Sequence, residues 1–263
     1  MTRVKDVANL IENFAPKFLK EDYDNVGLMV GDMEKSVKKV MISLDCKLET
    51  IEEAKSKDID LIITHHPLIF KKPSKIVKGD LQGDKIIRLI KNNISLYSCH
   101  TNLDSAENGI NEAIVKLLGF NESTIIEKSK VKNFENVGIG RIVTLDNELS
   151  ALDIISLVKD KLNISDLRAA TSDRKIKKIA VINGSGQDFF EEAKNLGADC
   201  IITGDTTYHF VSDYNEMGIT IIDAGHFNTE NIIFLNIMKS ILAKFVDIEV
   251  IQSETSEDVY KFF

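Results

Sequence analysis

The chain carries the same supersecondary unit twice. KKVMISLDCKLETIEEAKSKDIDLIITHHPLIF begins at Lys38, and KKIAVINGSGQDFFEEAKNLGADCIITGDTTYHF begins at Lys177. Each reads as an apolar strand, a turn, a helix carrying EEAK, and a short strand ending in IIT. From the first Glu of EEAK to the residue after that Thr is thirteen positions in both copies, Glu52 to His65 and Glu191 to Gly204. Downstream, NNISLYSCHTNLDSAENGINEAI pairs with EMGITIIDAGHFNTENIIFLNIM, so that His100 falls on His226 and Asp104 on Glu230. Strand–helix–strand units share apolar patterning in general. The common spacing, followed by a histidine and a carboxylate four positions on, is what marks a duplication.

The duplication constrains the fold to an α/β protein of two related lobes, three-layered with helices on both faces of the sheet. The expected order is helix 4–14, strand 38–45, helix 48–56, strand 60–64, helix 81–92, strand 94–99 and helix 107–118. A polar connection around 127–137 leads to strand 139–144, helix 150–161, strand 177–182, helix 188–196 and strand 199–203. Helix 206–216, strand 219–223, helix 228–245 and strand 248–252 complete it. The first lobe is expected over 1–130 and the second over 131–263, with no inserted third domain and intertwining of the lobes left open.

Bulk properties narrow the function. With 263 residues, 43% of them hydrophobic, a sizeable core is within reach. A net charge of −8 argues against a nucleic-acid backbone binder. Cys46, Cys99 and Cys200 are an odd number without a CxxC pair, which suggests a reducing cytoplasm rather than a disulfide framework. The N-terminus reads as an amphipathic helix (Val4, Val7, Ala8, Ile11, Phe14), not a signal peptide. The longest apolar stretch, Ile232 to Val246, is interrupted by Asn236, Lys239 and Lys244 and is too short for a bilayer. A soluble, cytoplasmic protein is expected.

All five histidines lie in four motifs at strand ends: ITHHPLIF, SCHTNLD, TGDTTYHF and DAGHFNTE. Ligands of open α/β sheets collect at the carboxyl ends of strands. Imidazole with carboxylate, converging from separate segments, is how proteins hold transition metals. Each motif has an ordinary alternative when taken alone. His65-His66 could be a satisfied pair at a strand end. Glu230 could serve a helix dipole, and Asp104 could be an N-cap. Taken together with the repeat, His65, His66, Asp104, His226 and Glu230 form a metal set. Three imidazoles and two carboxylates exceed one tetrahedral site with an open position, and suit two divalent ions about 3.5–4 Å apart. Zn, Fe, Mn, Co or Ni would each be accepted by such donors.

The remaining polar residues are assigned more loosely. His100 could support a ligand, assist proton transfer, or simply pack at its strand end. His209 is a second candidate acid or base, and Asp205 and Tyr208 are candidate substrate contacts. Cys99 is read as a small buried hydrophobe. Gly184-Ser185-Gly186 follows a strand where anions could meet backbone N–H groups, a weak signal without a third glycine. Lys71, Lys72, Lys75 and Lys78 read as a solvated loop.

With EDYDNVGLMVGD near the start and GIGR at Gly138, these motifs resemble the NIF-three-like dinuclear metal-centre proteins, often labelled GTP cyclohydrolase I type 2 homologues. The resemblance runs from about Asp24 to Glu230; Tyr23 stands where the family usually has Trp. It implies two related α/β lobes, metal ligands at His65, His66, Asp104, His226 and Glu230, and a toroidal homohexamer with metal pairs facing a cavity. The activity implied is metal-dependent hydrolysis of a small anionic, nucleotide-like substrate. The competing expectation is a non-catalytic metal-binding ring that regulates or binds a partner. A structural zinc is disfavoured, because such sites are usually Cys-rich and closed.

Overall fold

The structure is a computed structural model that describes residues 1–131, 134 and 136–262. Of the expected polar connection, Lys132, Asn133 and Glu135 lie outside the described residues. The fold is mixed α/β with two sheets and, among the described residues, nine α-helices. The chain divides into two compact units, Met1–Leu103 with Phe234–Glu257, and Asp104–Ile233 with Asp258–Phe263. The division therefore does not follow a simple cut near residue 130. Strand pairing between 249–252 and 39–42 carries the late segment into the first unit.

In chain order the first unit contains helix α1 (Val4–Phe14), strands β1 (Gly27–Val30) and β2 (Lys39–Ser43), and helix α2 (Leu48–Ser56). Strand β3 (Leu61–Thr64), helix α3 (Leu81–Lys91) and strand β4 (Ser95–Ser98) follow, and the chain passes into the second unit within the short helix α4 (Thr101–Ser105). The expected helix over 107–118 forms as α5 (Ile110–Leu117), and the short α4 before it was not expected. Asn108 takes a left-handed φ of 57° and Gly109 then caps α5, which stops one helix from continuing into the other.

Strands β5 (Thr124–Lys128) and β6 (Gly138–Leu149), helix α6 (Ala151–Leu162), and strands β7 (Arg168–Ala170) and β8 (Ile176–Ser185) come next. Helix α7 (Phe190–Asn195), strand β9 (Cys200–Gly204), helix α8 (Tyr208–Glu216), strand β10 (Thr220–Asp223), helix α9 (His226–Leu242) and strand β11 (Glu249–Gln252) complete the chain.

The two sheets repeat one topology. The first runs β1-β4-β3-β2-β11 and the second β5-β6-β8-β9-β10-β7. Within them, β1-β4-β3-β2 and β7-β10-β9-β8 share the same order and the same directions, with an antiparallel edge strand beside three parallel ones. The copies also share a side-chain device. Asp60 Oδ2 accepts from the amides of Lys38 (2.8 Å) and Lys39 (3.1 Å), and Asp199 Oδ2 accepts from those of Lys177 (2.9 Å) and Lys178 (2.8 Å). In each case a carboxylate at the foot of one strand holds the start of its neighbour. The copies differ beyond β2 and β8, where the first sheet adds parallel β11 and the second adds antiparallel β6 and β5.

Alternation explains why the central strands are apolar throughout. Met41, Ile62 and Leu96 pack with Ile51 and Ala54 of α2 and Ile86 and Leu89 of α3. The intervening Val40, Ile42, Leu61 and Ile63 point the other way and are equally buried. In the second unit Ala180, Ile201 and Ile221 pack with Phe190 and Ala193 of α7 and Tyr214 of α8. Each fully buried aliphatic or aromatic side chain contributes roughly 1.5–3 kcal/mol. No helix among the described residues is long and apolar enough to cross a membrane.

Candidate metal centre

In the first unit three histidines stand at the carboxyl ends of β3 and β4. Thr64, the last residue of β3, bonds Ser98 Oγ at 2.8 Å and donates to the His66 carbonyl at 2.9 Å, turning the chain as it leaves the sheet. The His66 amide donates to the Leu44 carbonyl at 3.1 Å. His65 is fully buried, and its Nδ1 lies 2.9 Å from the Cys99 carbonyl oxygen. A carbonyl can only accept, so Nδ1 carries a proton and donates it there. His66 Nδ1 meets Asp45 Oδ1 at 2.9 Å, and His100 Nδ1 meets Asp24 Oδ1 at 2.9 Å. His65, His66 and His100 each offer a ring nitrogen, all within 4.8 Å of one another. His100 thus joins the pair that precedes Pro67.

Asp24 is anchored for this task. Besides His100 it accepts from the Thr101 amide at 3.1 Å and from Thr101 Oγ1 at 2.6 Å. Burial alone would raise its carboxyl, but the hydrogen bond and charge of His100 and the bonds from Thr101 lower it to about 2. It therefore stays ionised at neutral pH and fixes the tautomer of His100.

In the second unit the donors gather around the first turn of α9. His226 Nδ1 meets Asp205 Oδ2 at 2.7 Å, and its Nε2 lies 3.1 Å from Glu230 Oε2, one helical turn on. Asp205, just past β9, reaches this position with a left-handed φ of 51°. Asn183, at the end of β8, donates from one Nδ2 to both Asp104 Oδ1 (3.0 Å) and Glu230 Oε1 (2.8 Å). Asn111 braces the same group: its Oδ1 accepts from the Asn183 amide at 3.1 Å, and its Nδ2 donates to the Asp104 carbonyl at 3.2 Å. Gly184 follows with φ +57°, and a Cβ there would stand 2.3 Å from Glu230 Oε1 and 3.2 Å from His226 Nε2. The glycine is required for the carboxylate to approach the strand. The Gly184 and Gly186 amides donate to Thr229 and Thr203 hydroxyls, so this turn spends its N–H groups on internal bonds rather than on an anion cradle.

In each unit the donor types present fit a divalent transition metal. Four imidazoles (His65, His66, His100, His226) have Nδ1 tied to an oxygen acceptor, the arrangement that turns Nε2 outward as a metal donor. His226 Nε2 and Glu230 Oε2 lie 3.1 Å apart, an imidazole nitrogen and a carboxylate oxygen close enough to serve one cation. Asp104 and Glu230 are both buried, and Asn183 ties one oxygen of each to a single amide nitrogen. The cysteines do not compete as donors. All three are buried; burial pushes the Cys46 thiol up to about 12 and raises Cys200 as well. Cys99 contributes its backbone carbonyl.

The other candidates are placed differently. Tyr208 and His209 open α8, both exposed, with rings in edge contact at 5.4 Å between centroids. Asp205, read as a substrate contact, hydrogen-bonds His226. The sequence reading missed Asp24, Asp45, Asn111 and Asn183. Asp24 stood inside the DYDN motif and Asp45 at the carboxyl end of β2, a position that could have drawn attention.

A family model described as Duf34/NIF3 (NGG1p interacting factor 3) matches residues 2–259. The chain belongs to this family. It is 52% identical to a Clostridium perfringens protein named "GTP cyclohydrolase 1 type 2 homolog", over 99% of each chain. A Methanocaldococcus jannaschii protein of the same name is 32% identical, covering 95% of this chain and 98% of its own. Among solved structures, a Staphylococcus aureus hypothetical protein superposes with a TM-score of 0.89 at 29% identity, over 99% of both chains. A Bacillus cereus protein related to NIF3 gives a TM-score of 0.90 at 23% identity, over 100% of this chain and 99% of that one, and shows the shared fold. The family and the mixed α/β fold agree with the expectation from the motifs.

Proposed function

We propose that His65, His66, Asp104, His226 and Glu230 hold two divalent ions, and that the protein hydrolyses a small anionic, nucleotide-like substrate. The observation that carries this reading is the common preparation of the imidazoles, each with Nδ1 on an oxygen acceptor, together with two buried carboxylates sharing one amide donor. Two bound divalent cations supply Lewis acidity and lower the pKa of water to about 7 in favourable sites.

The chain's own residues then have distinct tasks. Asp45 and Asp205 keep His66 and His226 in one tautomer and orientation. His100, held at Nδ1 by Asp24, places its ring beside His65 and His66 as a proton-transfer group. His209 and Tyr208, exposed at the start of α8, are available to a substrate arriving from solvent. The names of the relatives support a nucleotide-like substrate. Homohexameric assembly in the cytoplasm completes the proposal, and light scattering at the hexamer mass is the expected result.

The test is turnover of a panel of nucleotides and phosphoesters by metal-loaded protein, with His65→Ala as the control. Metal-dependent product that disappears in the folded variant is expected. Activity that survives metal stripping or His65→Ala would overturn the hydrolase reading. The family description names an interaction, which favours a second reading as a non-catalytic, partner-binding metal protein. That reading expects metal to change stability or partner affinity with no product from any substrate.

A further inference from the structure

We propose that Asn183 is a positioning residue whose amide clamps Asp104 and Glu230 into a preassembled cation site, a role that rests on the metal reading above. An Asn amide nitrogen has two hydrogens. Both are used here, one toward Asp104 Oδ1 at 3.0 Å and one toward Glu230 Oε1 at 2.8 Å. The two carboxylates come from α4 and α9, and Asn183 comes from β8, so one side chain fixes donors from two other elements. It binds a single oxygen of each carboxylate. On Glu230 the other oxygen, Oε2, faces His226 Nε2 at 3.1 Å, where a metal would take both.

Three features separate this role from ordinary packing. First, the position is held from behind by Asn111 and kept open by Gly184, as a support for ligands must be if they are to stay within about 0.5 Å of productive geometry. Second, the repeat-mate of Asn183 is Leu44, which is buried at 2% exposure at the end of β2. The duplicated scaffold therefore accepts an apolar side chain at this place, and the amide is not demanded by the fold. Third, a neutral amide is the one donor type that holds two carboxylates without cancelling their charge. A lysine or arginine here would supply the positive partner itself and take the cation's place.

The experiment is calorimetric titration of metal-stripped protein with Zn²⁺, alongside thermal unfolding of the stripped protein, for wild type and Asn183→Leu. The variant reproduces its repeat-mate's side chain and removes both hydrogens while keeping the same number of side-chain heavy atoms. Zn²⁺ binding weakened by about 10–100-fold in folded protein is expected, the usual cost of losing a partner that orients metal ligands. Asn183→Ser, with one hydrogen to donate, should fall between the two and serves if Asn183→Leu does not fold. Wild type that binds and variants that bind equally tightly would overturn the clamp, even if their unfolding temperatures drop, because that pattern belongs to a structural residue. Wild type that binds no Zn²⁺, Mn²⁺ or Fe²⁺ would overturn the metal reading itself and the clamp with it.

Discussion

The two copies of the repeat place different chemistry at the same strand ends. After β3 stand His65-His66, and at the matching positions, at the end of β9, stand Gly204-Asp205. After β2 stand Leu44-Asp45, and at the matching positions, in the last residues of β8, stand Asn183-Gly184. In the first copy the second residue after the IIT motif is an imidazole, oriented by a carboxylate from the β2 end: His66 by Asp45. In the second, the residue matching His66 is Asp205, which orients an imidazole at the β10 end: His226. Donor and holder have exchanged places while the backbone kept its topology. A duplicated scaffold therefore preserves where side chains converge and leaves open which of them carry nitrogen, which carry oxygen, and which only steer.

The strongest way to break this comparison is to delete one donor from each copy. His66→Ala and His226→Ala should each weaken metal binding by more than about 100-fold, beyond the range of outer partners. If chelator competition shows one of them unchanged, that copy supplies no donor. Removing the holders is the next step. Asp45→Ala and Asp205→Ala should each cost about 10–100-fold in affinity if the exchange of roles is real. A large loss from only one of them would mean that the roles are not equivalent.

A smaller effect separates the copies by acid. Glu53 accepts from Lys57 Nζ (2.7 Å), Ser253 Oγ (2.6 Å) and the Glu254 amide (3.0 Å), tying down the segment after β11. Burial pushes its carboxyl up, but these hydrogen bonds prevail and hold it at about 2 against an ordinary 4.5. A depressed carboxyl stabilises fully above its unfolded value, and the contribution fades as pH falls from about 4.5 toward 2. Glu53→Gln should cost on the order of 2 kcal/mol near neutral pH in urea unfolding, with the gap to wild type closing in that acid window. Its repeat-mate Glu192 is exposed, and Glu192→Gln should change stability by under about 0.5 kcal/mol. The smallest effect tests what the copies share. Asp60→Ala and Asp199→Ala should each cost about 1–2 kcal/mol, from the loss of two bonds to backbone amides. Unequal results would show that the device is retained in form but not in energy.

The parallel core was legible because β2, β3, β4, β8, β9 and β10 are short apolar runs with a repeated spacing. The antiparallel edge strands were not. β1 is four residues set between Gly27 and Gly31, and β7 is three residues, Arg168–Ala170, without an apolar run. Edge strands gain their partners from the sheet, so their own sequence needs little pattern. The histidines at the strand ends were legible for a chemical reason, as few residue types bind metals. Asn183 was hidden because INGSG has the composition of a turn, and its importance lies in two hydrogen bonds to residues 79 and 47 positions away. Asp24 was visible only as part of a motif, since its contact with His100 spans 76 residues. Local pattern reports which side chains can do chemistry; long-range hydrogen bonds decide how they are aimed.

His65 differs from the other three held histidines in leaning on a main-chain carbonyl, that of Cys99. No side-chain substitution can delete that acceptor, since every amino acid brings the same carbonyl to position 99. The Cys99 thiol can be exchanged for a small neutral group without unsettling the imidazole, whereas the other three each depend on the survival of one particular aspartate. Of the four imidazoles, His65 is therefore the one whose orientation is least open to disruption by a single substitution at its acceptor.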